Sequence, residues 1–458
     1  MTTGPDTDPA AGTAAVPRPR GAAVPGRGAR AGRAQTARFA LTHTLPAFAR
    51  GLATARPRVA AALGRLRQSD WSAATLRALR ARHGGAPVLV RGLSGDILVL
   101  LDPADVRQFF EEPVERLALD AADKVRLLGG LEPTGVICSH GELREARRAV
   151  NDRALAPDRA DHPSCAEFRA VVAAECAPLT ARPQLEFERL VRVLERIGRR
   201  IVLGDRAADD EELHRRLRAL RAEANWLGMR RSRAAANERL YAAAAAQLEH
   251  YAAGAPAHTL VGRALAEPAA DGVDPVGQAH HWLLAVDGCA PVVARTLLLL
   301  AAHPAEQDAA RVSLRGGSDS RLRACVQESL RLWPLVPDLV RVTRAETTWG
   351  GVTYPAGTQV LVPIGFHQRD GAHVGAAQLF VPGRWLSAGA DRDPRMAPFG
   401  HGGGRCPGDR LGLLLSAAVC AEVLRGHRVG AARPVIDPHT CLPGAVDTAG
   451  IRLTLTPR

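Results

Sequence analysis

Pro398-Phe399-Gly400-His401-Gly402-Gly403-Gly404-Arg405-Cys406-Pro407-Gly408-Asp409-Arg410-Leu411-Gly412 is the stretch on which the fold turns. Glycines crowd around one cysteine, just ahead of an apolar run that reads as a helix over residues 410–425. Glycine permits tight turns and close approach to a flat ligand. A cysteine ahead of a helix meets free backbone N–H groups and the positive end of the helix dipole, which favour its thiolate. Such a thiolate can ligate a metal or act as a nucleophile.

Composition frames that choice. The chain has 458 residues, 46% apolar and 23% charged. That is close to an average soluble globular protein and excludes a disordered or fibrous one. No run of 18 apolar residues is free of charge or proline, so no membrane span is expected. The N-terminus lacks an apolar signal core, and the expected location is cytoplasmic. Net charge is +13, but the basic residues are scattered and aromatics are only 4%. That is too few for base-stacking platforms, so no nucleic-acid partner is expected. Eight cysteines include no C-x-x-C pair. A disulfide framework or zinc site is not expected, and most cysteines read as small buried apolar residues.

Working outward, residues 1–38 carry six arginines against two aspartates and no apolar period, and read as a disordered tail. Order is expected from Phe39, in one unit over 39–458. Asp70 can cap a helix from Trp71 to Arg82. Val88–Val90 and Ile97–Leu101 flank the turn 92–95, a hairpin signal. Asp102-Pro103 opens a further helix through Phe110. Residues 142–300 read mostly as helix, 345–362 as strands, and Ile451–Leu455 as a last strand. The segment Trp282–His303 is apolar nearly all round. Asp287, Pro291 and Arg295 inside it argue for a buried central helix, kinked at Pro291.

Three further patterns accompany this loop, the first two preceding it in order. Glu328-Ser329-Leu330-Arg331 is E-x-x-R on one helix face, Phe380-Val381-Pro382-Gly383-Arg384-Trp385 is F-x-P-x-R-W, and His140-Gly141-Glu142-Leu143-Arg144 is H-x-x-x-R. With Phe399, Gly402, Cys406 and Gly408 matching F-x-x-G-x-x-x-C-x-G, the chain over 39–458 resembles the cytochrome P-450 superfamily. The resemblance implies a mostly helical fold with small β-sheets, in which haem b (iron protoporphyrin IX) lies between a long central helix and the cysteine loop.

It also implies roles. Cys406 would be the metal ligand, with Phe399, Gly402 and Gly408 shaping the haem-binding loop. His140, Arg144 and Arg341 would meet the haem carboxylates, a task that suits arginine. Glu328, Arg331 and Arg384 would form a structural network holding the loop. The implied reaction is monooxygenation: one oxygen atom of O2 enters a small organic substrate, with electrons from an external ferredoxin and its reductase. Arg144, Arg147, Arg148, Arg405 and Arg410 are expected to form a basic face for that donor. A natural-product intermediate is the expected substrate.

Two positions depart from the family pattern. Gly404 stands where an arginine or histidine usually meets a haem carboxylate, and Arg405 is the candidate replacement. Counting back from His303-Pro304 puts Asp287 at the family's catalytic acid and Gly288 where a threonine usually follows. Loss of that hydroxyl keeps open a peroxide-using, coupling or rearranging enzyme, and a haem-binding module without turnover. His401-Gly402-Gly403-Gly404 also resembles a hydrolase oxyanion run, but no G-x-S-x-G accompanies it. A cysteine-nucleophile enzyme leaves Glu328, Arg331 and Arg384 unexplained.

Overall fold

The computed structural model describes residues 28–92 and 95–458. Residues 1–27 of the expected tail, and Leu93-Ser94 of the expected hairpin turn, lie outside the described residues. Structure starts earlier than Phe39. Leu89 N donates to Ala29 O at 2.8 Å, Ala31 N donates to Leu89 O at 2.9 Å, and Arg33–Phe39 is a helix. Backbone pairing to a neighbouring strand organises this segment, which is why the apolar pattern does not reveal it. The next expected helix also starts early, at Gln68. Arg67, at φ 52°, takes the cap position, and Asp70 bonds Arg67 Nε at 2.7 Å from within the first turn.

The architecture is mostly helical with small sheets, as expected. The largest sheet has five strands in the spatial order Val88–Arg91, Asp96–Val99, Gln359–Val362, Leu339–Thr343, Leu117–Ala118. Its neighbours are antiparallel except Asp96–Val99 with Gln359–Val362, which run parallel. Alternation does the sorting. Leu98, Val360 and Val362 enter one apolar cluster, while Val99 and Leu361 enter another on the opposite face. The strand Leu339–Thr343 places Arg341 between this sheet and the cysteine loop.

A larger apolar cluster lies among the helices, with Ala279–Ala302 through its middle. This is the one helical segment among the described residues long and apolar enough to cross a membrane, and 67% of its most apolar window is buried inside the protein. It is two helices, Ala279–Asp287 and Cys289–Ala302, joined at Gly288. Pro291 explains the break. It has no N–H to give Asp287 O, so the regular ladder lapses there.

Ser320–Leu332 and Asp409–Gly426 pack against that central element. The first carries the buried network. Glu328 Oε1 accepts from Arg331 Nη2 (2.8 Å), Val381 N (2.9 Å) and Arg384 Nε (3.2 Å). Glu328 Oε2 accepts from Arg331 Nε and Trp385 Nε1, both at 2.8 Å. Arg331 also donates to the carbonyls of Gln368, Ala377 and Leu379. Glu328 and Arg331 are fully buried. One carboxylate thus ties a helix to the segment 368–385 that leads into the cysteine loop.

Removing that carboxylate leaves two guanidiniums without their charge partner. Glu328→Ala is expected to lose ~3–5 kcal/mol of stability. Denaturant unfolding measures this directly, and an unchanged midpoint would show the network to be superficial.

Candidate active site around Cys406

The cysteine loop is built by backbone bonds. Cys406 N donates to Phe399 O at 2.9 Å, and Arg405 N donates to Gly402 O at 3.0 Å across the glycine turn. Asp409–Gly426 begins three residues beyond Cys406. Gly402 has φ +62°, and a Cβ there would fall 2.0 Å from Phe110 O. No side chain fits.

Cys406 is accessible at its surface, yet burial is the strongest influence on its thiol. Asp338 shares that combination, and His281, one helical turn from Ala285, is likewise part-exposed while burial opposes its charge. Groups of this kind line an internal space rather than the outer surface. Ala285 is exposed in the middle of an otherwise buried helix, and Leu335 (46%) and Val336 (60%) are exposed between Ser320–Leu332 and Leu339–Thr343. A Cβ on Gly288 would lie 3.3 Å from Leu335 Cδ1. Cys406 in turn is near enough to Cys289 to raise its pKa. The helix break, Leu335 and the thiol therefore belong to one region.

Burial pushes the Cys406 thiol above its ordinary pKa, although the Gly408 N–H, Arg148 and Arg405 oppose that. The chain by itself favours the neutral thiol, and a metal cation at the sulfur reverses the preference. Phe399 packs on a small cluster of Val292, Val326, Leu330 and Leu413, which seals this end of the loop.

The cations are placed less uniformly than the sequence suggests. Arg341 is 3% exposed, donates to Phe109 O at 2.8 Å and stacks over the Phe109 ring at 4.4 Å. Burial and Arg144 lower its pKa to about 10. Arg144 is 7% exposed and donates to Gly403 O at 2.7 Å, while its Nε is buried without a partner. Neither guanidinium has a carboxylate partner among the described residues. His140 Nδ1 lies 2.9 Å from Asp120 Oδ2, which Arg344 shares.

Arg405 already has carboxylate partners of its own. Its Nη2 lies 2.6 Å from Asp409 Oδ2 and 3.5 Å from Asp391 Oδ2, so it braces the helix start. The room beside Gly404 is taken by Arg341, whose Nη2 would lie 2.5 Å from a Cβ there. Gly404 lacks a side chain because Arg341 from the sheet occupies its place.

The expected basic face is also revised. Arg144 and Arg147 are buried, and Arg147 Nη1 donates to Gly135 O at 3.0 Å. Arg148 is bound to Asp152 and to Arg405 O. Arg410 is the most exposed of the cations beside the loop, at 41% of its side chain. Helical spacing brings such arginines to one side but does not show which of them fold inward.

Asp287 is held from one neighbouring helix, Glu211–Ala224, with a second behind it. His214 Nε2 lies 3.1 Å from its Oδ1, and Arg221 Nη1 donates to its Oδ2 at 2.6 Å. Arg199 Nη1 lies 3.1 Å from His214 Nδ1. Arginine can only donate, so His214 Nδ1 accepts and its Nε2–H donates to Asp287. Burial pushes the Asp287 carboxyl up, but His214 and Arg221 outweigh it and hold it below the ordinary range. Nothing local in the sequence signals His214 or Arg221, which lie on Glu211–Ala224.

Lys124 was also not legible as a site residue. Its ammonium donates to Val340 O at 2.8 Å, and burial with Arg341 nearby lowers its pKa to about 8. Its only sequence signal is that it is the one lysine among 60 basic residues.

The glycine turn generates a paired expectation. Gly402→Ala should cost ~1–3 kcal/mol or more, because it adds strain at positive φ and a backbone clash. Gly408→Ala should be far milder, since its Cβ would meet only Cys406 Sγ at 3.9 Å. Parallel thermal unfolding of the two variants checks this, and equal losses would contradict it.

The comparisons agree with this geometry. Residues 320–440 match the family model for cytochrome P-450. Cyclooctat-9-en-7-ol 5-monooxygenase of Streptomyces melanosporofaciens is 38% identical over 115 residues, 25% of this chain and 24% of the relative. Methyltetrahydroprotoberberine 14-monooxygenase of Papaver somniferum is 33% identical over 119 residues, 25% of this chain and 23% of the relative. The matched segment thus spans about a quarter of the length of these curated relatives. Over the whole chain the likeness is one of fold. A retinoic acid-bound cyanobacterial CYP120A1 has a TM-score of 0.67 at 16% identity, covering 83% of this chain and 94% of that one. A cytochrome P-450 OleT variant in complex with arachidonic acid has a TM-score of 0.68 at 14% identity, covering 94% and 99%.

The cofactor these matches imply is haem b. The donor set fits it. The Cys406 thiol, whose ionisation burial opposes, shares its loop with two buried guanidiniums that want carboxylates, and an iron porphyrin with two propionates offers a cation and both anions. Residues 320–440 match the cytochrome P-450 family, and over most of its length the chain has the fold of cytochromes P-450, with a donor set complementary to haem.

Proposed function

We propose that this chain is a haem-thiolate monooxygenase that inserts one oxygen atom of O2 into a small organic substrate. The observation that carries this reading is Cys406, set on a glycine loop ahead of a helix within electrostatic reach of the break in the central helix. Electrons would come from an external ferredoxin and its reductase, in the cytoplasm, with a natural-product intermediate as substrate. When bound, haem b supplies the binding and reductive activation of O2 and the transfer of oxygen to a C–H or C=C bond.

The chain's residues do the rest. Cys406 would hold the iron through sulfur, and the Gly408 N–H tempers the charge on that sulfur. Arg341 and Arg144, with His140 beside them, would hold the propionates. Phe399 and its cluster keep water from the thiolate side. Leu335, Val336 and Ala285 give the substrate an apolar wall. Arg410 remains the candidate contact for an acidic electron donor.

Asp287 would hold and pass the proton that O–O cleavage consumes. In the resting arrangement both its oxygens are occupied, so it serves this purpose only by exchanging the Arg221 or His214 bond for one toward Gly288. Gly288 offers no hydroxyl, and Leu335 crowds the place a larger residue would take. A substrate hydroxyl completes the relay in this reading. The lack of a hydroxyl at Gly288 equally favours a second reading, a peroxide-using or coupling enzyme.

Two outcomes are expected. The reduced CO complex should show the red-shifted Soret band of a thiolate-ligated haem, and Cys406→Ala should abolish it. A band that persists in the variant excludes Cys406 as ligand. Asp287→Asn should slow O2-dependent turnover about tenfold or more while leaving peroxide-driven turnover less affected. Equal effects on both, measured side by side, would remove Asp287 from proton delivery.

A further inference from the structure

His281 lies six residues before Asp287 on the first half of the central helix, and its side chain is 44% exposed. Its Nδ1 is 2.6 Å from Glu132 Oε2, in the turn after the helix Ala122–Leu128. Glu132 is 1% exposed. A carboxylate so deeply placed requires a cation, and His281 is the group bonded to it. The imidazole is then protonated on both nitrogens. Burial is overcome in both partners: Glu132 lies below its ordinary pKa and His281 above it. One N–H goes to Glu132. The other, on Nε2, has no partner among the described residues.

The surroundings are rich in unsatisfied polar atoms. Glu132 Oε1, His280 Nε2, and Arg221 Nε and Nη2 are all buried without a hydrogen-bond partner. These residues are close enough to shift one another's ionisation. Buried polar atoms are normally paired, and a group of exceptions at one place marks a site that something else completes. The Glu132–His281 pair also joins the turn after Ala122–Leu128 to the central helix, on which His281 lies one helical turn before the exposed Ala285.

We propose that His281, oriented by Glu132, is the polar anchor of the substrate chamber and donates its Nε2–H to an acceptor oxygen of the substrate, in a carbonyl or carboxylate group. The proposal rests on the monooxygenase reading and adds a substrate class to it. The apolar wall at Leu335 and Val336 takes the hydrocarbon part, and His281 fixes which carbon faces the reacting centre. Neutral charge bookkeeping at the pair leaves the selectivity to hydrogen bonding.

Matched probes test this on the haem-loaded protein: cyclododecanone with cyclododecane, adamantanone with adamantane, and lauric acid with dodecane. Affinity is read from the ligand-induced Soret shift and, independently, by calorimetry. In at least one pair the oxygenated member should bind about tenfold or more tightly. The double variant Glu132→Leu with His281→Phe removes both partners of the buried pair and keeps an apolar filling. It should lose that preference while hydrocarbon affinity stays within about threefold. An unchanged preference in the double variant overturns the proposal, and so does the absence of any preference in the native protein. The CO spectrum of each preparation separates this from failure of the underlying reading: a protein that never shows the thiolate band disproves the oxygenase, whatever the probes do.

Discussion

A cysteine sulfur lining an internal space and two buried guanidiniums, without carboxylate partners among the described residues, form the constraint around which this protein is arranged. Each alone is unfavourable in a low-dielectric interior, and together they define the charge pattern of the missing complement. The sulfur asks for a metal ion. Arg144 and Arg341 ask for two anionic oxygens. Their separation by the glycine loop asks for one rigid body that carries both. Haem b meets all three demands, so its binding and the stability of the loop are one physical problem.

The rest of the fold holds these groups in place against their own charge. Glu328 gathers five hydrogen bonds from Arg331, Arg384, Trp385 and the backbone of Val381, and so fixes the segment that leads to the loop. The sheet delivers Arg341 from the other side, stacked on Phe109. Gly404 is the meeting point: the guanidinium from the sheet fills the volume that a side chain on the loop would need.

Much of this was legible in the sequence, for a definable reason. Cys406, Glu328, Arg331 and Arg384 lie in short patterns where backbone geometry and spacing are local, and the structure brings Glu328, Arg331 and Arg384 together as those patterns imply. The break at Gly288 follows from Pro291 alone. What the sequence did not show is non-local. His214, Arg221 and Glu132 meet Asp287 and His281 across 66 to 149 positions, and nothing in their own neighbourhoods marks them. The partners of Arg147 and Arg405 were illegible for a related reason. A helix face or a loop position fixes where a Cα lies, while the partner that claims a long side chain comes from elsewhere. Residues 29–31 are ordered by pairing with Leu89 and lead into the helix Arg33–Phe39, and no apolar period signals that pairing.

The central claim is that the sulfur of Cys406 binds the iron. X-ray absorption at the iron edge tests it without reference to substrate or redox partner. The account predicts one sulfur scatterer in the first coordination shell of the native ferric protein, replaced by a nitrogen or oxygen scatterer in Cys406→His. A first shell of nitrogen and oxygen alone in the native protein, or a sulfur scatterer that survives the substitution, would contradict it.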